Sequence, residues 1–265
     1  MKRIQLFEFE DLTWFPAFLR QYMMRFITTM HGLLDSSSHL KALVEKGLKH
    51  SSKPEIIDLC SGGGGPMPEV INKLKSENGI KGLKLTMTDL YPDKRMAKKV
   101  SYQNDPSITY STTSMDATNV PSDAIGLRTM ICSMHHMKPD TAKLILKNTM
   151  EAQQPICIYE ISDNSFPKAI WWIAFPINIL TTLLITPMVR PFSLGQLIFT
   201  YLIPILPIVI AWDGAVSNAR TYTLEDMDQI LEGLNSNGYS WEKGSIKGKG
   251  GNKLYLLGLP EVGSN

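Results

Sequence analysis

Residues 55–65, EIIDLCSGGGG, set Asp58 and Ser61 just before four consecutive glycines, Gly62, Gly63, Gly64 and Gly65. Glycine tolerates positive φ and lets a ligand come close to the backbone, while the free amides of a following helix offer hydrogen-bond donors. Such a loop is built to cradle a nucleotide-like cofactor. Two more carboxylates follow: Asp89, 31 residues after Asp58, and Asp116 within Met115-Asp116-Ala117. Ionised carboxylates only accept hydrogen bonds, so a diol or an amino group is their natural partner. Then comes Cys132-Ser133-Met134-His135-His136, with two imidazoles able to take a proton from an acceptor, or to cap a helix or satisfy a buried carbonyl. No cysteine or carboxylate stands at zinc-ligand spacing from them, so no metal is expected.

Positioning these groups takes alternating strands and helices. The β-branched run before the glycines reads as a buried strand. Pro66 suits a first helical turn, and Val70, Ile71 and Leu74 mark one apolar face until Asn78-Gly79 ends the helix. Further strands are expected at Leu83–Met87, Ile108–Tyr110, Thr129–Ser133 and Pro155–Glu160. Helices are expected at Lys94–Tyr102 and at Pro139–Met150, the latter burying Leu144, Ile145 and Leu146. Thr223-x-x-Asp226 forms a capping box for a helix striped by Leu224, Met227, Ile230, Leu231 and Leu234 and ended by Asn237-Gly238; a hairpin, Tyr239–Leu257, closes the chain. This order is that of a parallel sheet covered on both faces, with ligands at the carboxyl ends of its strands.

A G-x-G-x-x-G reading from Gly62 meets Met67 where the third glycine should stand, which tells against nicotinamide and flavin dinucleotides. The pattern resembles class I S-adenosylmethionine-dependent methyltransferases, although Cys60 occupies what is often the first glycine of their motif. The resemblance covers roughly Glu55 to Asp163. It implies an α/β fold: a Rossmann-like, doubly wound, seven-stranded sheet with an N-terminal helical lid, here with an added apolar helical hairpin. By the same resemblance Asp58, Ser61, Gly62, Gly63 and Gly64 would form the cofactor loop, and Asp89, beside Leu90, would accept from both ribose hydroxyls. Asp116 would read the adenine amino group with Ala117 against the ring, and Cys132 and Ser133 would face the methionine part. The implied reaction moves a methyl group from a sulfonium to a nucleophilic N, O, S or C atom and leaves S-adenosylhomocysteine; His135 or His136 would serve as base for an oxygen acceptor.

The 265 residues suit one large α/β domain with additions, and a net charge of +2 carries no nucleic-acid signature. The expected division is a lid over 1–52, the cofactor-binding domain over 53–167 and 213–265, and an insertion over 168–212. Cys60, Cys132 and Cys157 are expected in core strands, as reduced thiols. The acidic N-terminus, MKRIQLFEFED, does not read as an export signal. Ala169–Val189 and Phe192–Trp212 are free of charge, each long enough to cross a bilayer core of roughly 20 helical residues, but Pro176, Pro187, Pro204 and Pro207 imply kinks. Because the hairpin follows the fifth strand, it projects from the same sheet edge as the cofactor, like a greasy mouth. Trp14 and Tyr22 are expected in the lid over the acceptor, and Phe18 and Phe26 in a helix core. Asp213 and Arg220 are candidates for an acceptor headgroup, as an amine and an anion partner respectively. Lys243, Lys247, Lys249 and Lys253 are expected on a solvated hairpin or against anionic lipid. The expected function is methylation of an apolar or lipid-like acceptor at the cytoplasmic face of a membrane. The alternatives are a soluble cytoplasmic enzyme whose insertion is a cap or dimer interface, and a non-catalytic scaffold that keeps the fold and binds the cofactor as a ligand; oligomeric state stays open.

Overall fold

A computed structural model describes residues 1–101, 105–165, 167 and 170–261. Seven strands form one sheet: β1 (Glu55–Asp58), β2 (Lys84–Met87), β3 (Ile108–Tyr110), β4 (Leu127–Ile131), β5 (Ile156–Glu160), β6 (Tyr239–Gly248) and β7 (Gly251–Pro260). Their order is β3-β2-β1-β4-β5-β7-β6. Strands β1 to β5 run parallel, and β7 enters antiparallel to β5 (Ile156↔Gly258, Glu160↔Leu254). The winding direction reverses between β1 and β4, which is where a doubly wound sheet opens a crevice for ligand.

Nine α-helices are found among the described residues: α1 (Ala17–Leu33), α2 (Ser36–Leu48), α3 (Met67–Asn78), α4 (Lys94–Ser101), α5 (Pro139–Glu151), α6 (Ile170–Ile185), α7 (Leu194–Leu197), α8 (Ile205–Arg220) and α9 (Leu224–Leu231). Side chains alternate between faces along a strand, so neighbouring residues serve different layers. Ile56, Cys157 and Tyr159 pack with Leu40, Leu43 and Val44 of α2 and Val70, Ile71 and Leu74 of α3. Ile57, Ile156 and Ile158 face the other way, against Ala142, Ile145 and Leu146 of α5 and Met227 and Ile230 of α9. Each such Leu or Ile taken fully from water contributes about 2 kcal/mol before ordering costs. Helix α2, expected in an N-terminal lid, therefore covers the sheet instead.

Several expectations need correction. Leu144 is 53% exposed, because α5 turns Ala142, Ile145 and Leu146 to the sheet and the intervening position points away. Helix α9 stops at Leu231, short of Asn237-Gly238; Gly233 takes φ +78°, and Leu234 is buried from the following turn. The capping box itself forms, with Thr223 accepting from the Asp226 amide and the Asp226 carboxylate from that of Thr223. Of the three free cysteines only Cys157 lies in a strand; Cys60 and Cys132 follow β1 and β4 with φ of +56° and +52°. Lys253 is buried and donates to the Ile161 carbonyl, so it faces neither water nor lipid. Tyr102, Lys168 and Ala169 lie outside the described residues.

The insertion is a broken hairpin. Helix α6 ends at a 3₁₀ turn, Thr186–Met188; a cis Arg190-Pro191 bond precedes α7, and a π-helical turn, Ile198–Leu202, leads to the Pro204 break and α8. No single described helix is long and apolar enough to cross a membrane, in line with the kinks that the prolines imply; the pair Leu194–Leu202 and Ile205–Arg220 has the composition but bends by 84°. One face of the hairpin packs on α1, joining Val189, Leu206, Val209 and Ile210 to Leu19, Met23 and Phe26. Phe18 departs from its expected core position; it is 43% exposed, its ring against that of Phe199.

Candidate active site

The glycine loop is stitched to the end of β2 by short polar links. The Asp58 carbonyl accepts from the Thr88 amide (2.8 Å), the Thr88 hydroxyl (2.9 Å) and the Ser61 hydroxyl (2.8 Å), and the Ser61 amide donates to the Thr88 carbonyl (2.9 Å). The Asp58 carboxylate is buried and accepts from Thr129 Oγ1 on β4 (2.6 Å), across the switch point. Burial pushes its pKa up to about 6, against the hydrogen bonds from Ser61 and Thr129. Asp58 and Ser61 thus brace the loop from within. Gly62 and Gly64 take φ of +49° and +87°, and the Met24 methyl of α1 lies 3.2 and 2.8 Å from where a Cβ would sit on Gly62 and Gly63. The loop needs glycine for its turn and for the close passage of α1. A cavity of about 220 Å³ beside it is lined by Gly63, Gly64, Thr28, His31, Met87 and Met96, among others.

Asp89 lies just past β2. Its Oδ2 accepts from the Gly62 amide (3.1 Å), its Oδ1 from the Tyr91 amide (2.9 Å), and its carbonyl from the Met115 amide (2.9 Å). One residue therefore ties together the loops after β1, β2 and β3. Leu90 is exposed beside it. Asp116 is exposed and held in a turn by the Thr118 amide and hydroxyl (2.8 and 2.7 Å), and Ala117 is buried behind it. Past β4, the Cys132 amide donates to the Tyr159 carbonyl, and the buried Ser133 hydroxyl has no hydrogen-bond partner among the described residues. The structure thus brings Gly62, Asp89, Asp116 and Ser133 to the carboxyl edge of one sheet.

The two histidines lie on a 3₁₀ turn, Met134–His136, after β4. His135 is buried; its Nδ1 is 2.8 Å from Glu160 Oε2, and its amide donates to Glu160 Oε1 (3.1 Å) at the end of β5. His136 stacks beside it with ring centroids 4.2 Å apart, its Nδ1 3.0 Å from Asp11 Oδ1. Burial alone would raise Asp11, but the hydrogen bonds and charges of His136 and Arg220 outweigh it and hold the carboxyl well below the usual range. Glu8 is wholly buried and pushed up to about 7 by desolvation, with His136 and Arg220 opposing. These acidic partners come from 125 residues or more earlier in the chain, and sequence spacing carries no sign of them.

Asp213 and Arg220 prove to be internal. Asp213 accepts from the Phe9 and Glu10 amides (2.8 and 3.1 Å), and burial pushes it up to about 7. Arg220 pairs with Glu8 Oε1 (3.0 Å) and Asp11 Oδ2 (2.7 Å) and donates to the His136 carbonyl. Both are buried; Asp213 is held by the two amides and Arg220 by its two ion pairs, its Nε alone lacking a hydrogen-bond partner among the described residues, and together they fasten the root of α8 to the N-terminal segment and to the histidine turn. Trp14 is 69% exposed just before α1, while half-buried Tyr22 meets Phe18 edge to face and its carbonyl accepts from Gln196 of the hairpin.

No protein-family model and no curated protein matches the chain. Among solved structures, it is similar to the methyltransferase domain of bacterial CtHen1-C, at 10% identity over 86% of this chain and 97% of that one, with a TM-score of 0.49. It is similar also to the mitomycin 7-O-methyltransferase MmcR, at 13% identity over 83% of this chain and 52% of that one (TM-score 0.48), and to human N-acetylserotonin methyltransferase in complex with SAM, at 14% identity over 98% and 64% (TM-score 0.48). The chain spans about half to two thirds of the length of the last two. By its own strand order, its switch point and the glycine loop after β1, it has the Rossmann-like, doubly wound, seven-stranded fold that its resemblance to class I methyltransferases implies.

Proposed function

We propose that this protein is an S-adenosylmethionine-dependent methyltransferase acting on an apolar or lipid-like small molecule at a membrane surface. The observation that carries the reading is Asp89: it binds the Gly62 amide at the switch point, so a glycine cradle and a diol-accepting carboxylate form one unit. The remaining groups fit such a cofactor. Asp116 keeps an exposed carboxylate beside buried Ala117, and the orphaned Ser133 hydroxyl lacks the partner a buried polar group requires. Bound there, S-adenosylmethionine would supply an electrophilic methyl on a sulfonium. The chain's own part is to align, and to exclude water with α1, whose Met24 already covers the loop. For an oxygen acceptor, His136 is the group placed to take the proton, with Asp11 ionised behind it to stabilise the imidazolium.

The acceptor class is argued from the hairpin. Leu180, Leu184, Phe192, Leu194, Leu202 and Ile208 are exposed on it, while its root meets the histidine turn through Arg220. A large exposed apolar patch beside a catalytic edge fits entry of a substrate from lipid. The bend and the short helices favour a hairpin lying in the interface of the cytoplasmic leaflet over one that spans. The test is incubation of the full chain with methyl-labelled S-adenosylmethionine and a membrane extract, followed by phase partition. Label in the organic phase is expected. Label confined to water-soluble products would overturn the lipid-like acceptor and favour a capped soluble enzyme, and no calorimetric cofactor binding would overturn the methyltransferase reading itself.

A further inference from the structure

Three side chains from distant parts of the chain meet beside the end of β4. Glu8, His135 and His136 each place a ligand-capable atom within 4.8 Å of the other two. Glu8 is wholly buried, yet its Oε2 has no hydrogen-bond partner among the described residues; it faces His136 Nδ1 at 3.6 Å, while Oε1 takes Arg220 (3.0 Å) and Ser217 (3.1 Å). Leaving a buried carboxylate oxygen unpaired is costly, and a proton or a cation relieves it. His135 is already oriented as a ligand. Glu160 takes its Nδ1 at 2.8 Å and its amide at 3.1 Å, which fixes the ring and leaves Nε2 as the nitrogen with a free lone pair. Histidines bound to metals are held in this way by a carboxylate on the other nitrogen. Asp11 holds His136 at Nδ1 likewise.

The charge balance agrees with the geometry. Glu8, Glu10, Asp11 and Glu160 stand against the pair of imidazoles, with Arg3 and Arg220 as the nearby cations among the described residues. We propose that Glu8, His135 and His136 bind a divalent transition-metal ion at the carboxyl edge of the sheet. Two imidazoles and one carboxylate make a zinc donor set with a fourth position left open; calcium and magnesium favour all-oxygen sites. With the ion bound, His136 is a ligand and no longer the base, and the open position would take the oxygen or sulfur atom of the acceptor in its place. That role rests on the methyltransferase reading, but the binding of the ion does not.

The experiment strips the full-length protein with a chelator and titrates it with Co²⁺, read by visible ligand-field absorption, and then with Zn²⁺ in competition, read by calorimetry. One ion per chain is expected. Glu8→Gln and His136→Gln should each weaken Zn²⁺ binding by at least about tenfold, and Glu160→Gln, which touches the ion only through His135, by about 10- to 100-fold. His50→Gln, whose ring bonds the Pro260 carbonyl far from the cluster, should leave it unchanged. Thermal unfolding of each metal-free variant shows whether it is folded. Absence of stoichiometric uptake by the folded wild type, or full affinity in folded Glu8→Gln and His136→Gln, overturns the proposal. Cofactor binding is measured on the same samples: its loss alone strikes the methyltransferase reading and leaves the metal result standing.

Discussion

Asp89 carries more of the site than any other single residue, because one carboxylate serves both the glycine loop and the turn after β2. Asp89→Ala should weaken S-adenosylmethionine binding by about 10- to 100-fold, the loss of a charged hydrogen bond worth about 1.5–3 kcal/mol. Calorimetry on the purified variant checks this, and an unchanged Kd would remove Asp89 from the site. His31 offers a separate test. It is buried with Nδ1 3.0 Å from Ser36 Oγ, and desolvation lowers its pKa to about 4, Glu160 opposing and Lys253 assisting. The folded state prefers the neutral ring, so its contribution is complete above the unfolded value of 6.5 and is lost as pH falls through about 4. The stability gap between wild type and His31→Gln should therefore shrink by about 3 kcal/mol between pH 7 and pH 4 in urea melts. A gap constant with pH would contradict the depressed value. At this scale the sequence is partly legible: type and spacing place Gly62, Asp89 and Ser133 just past β1, β2 and β4, where they lie. The buried pairing of Asp213 and Arg220 was hidden, because their partners, Phe9, Glu10, Glu8 and Asp11, lie more than 200 residues earlier.

At the scale of elements, local signals worked where a motif is self-contained. Thr223 and Asp226 satisfy each other's amides within one turn, so the start of α9 could be read directly. Thr223→Ala should cost about 1 kcal/mol, measured by chemical denaturation. The end of α9 could not be read, since Leu234 is buried from a turn as well as it would be from a helix. The hairpin keeps its apolar composition and is broken, as its prolines imply. Proline breaks shorten its helices, and packing on α1 occupies one face, leaving the other exposed. Leu202 is 77% exposed, so Leu202→Glu leaves the fold intact while placing a charge on that face. In flotation with anionic lipid vesicles the variant should stay with the soluble fraction while the wild type floats; equal partition would argue against membrane docking through this face.

For the whole molecule, the glycine loop, α1 and the hairpin are connected, with α1 touching Gly62 and Gly63 on one side and α8 on the other. A ligand that binds only the folded chain at about 100 times its Kd should stabilise it by about 2.7 kcal/mol. S-adenosylmethionine should therefore raise the Tm, and no shift at saturation would contradict the fold's assignment to that cofactor. The sequence by itself determined the alternation of strands and helices, the glycine turn after β1, the carboxylates after β2 and β3, and the apolar insertion after β5. Each follows from short-range physics, namely the period of side chains along an element, the conformational freedom of glycine, and the length of an uncharged run. Only the tertiary structure decided that α2 covers the sheet, that the insertion folds as a bent hairpin on α1, and that Glu8, Asp11 and Arg220 close around His136. Those outcomes depend on which distant surfaces bury each other and which buried charges find partners, and no periodicity along the chain records that.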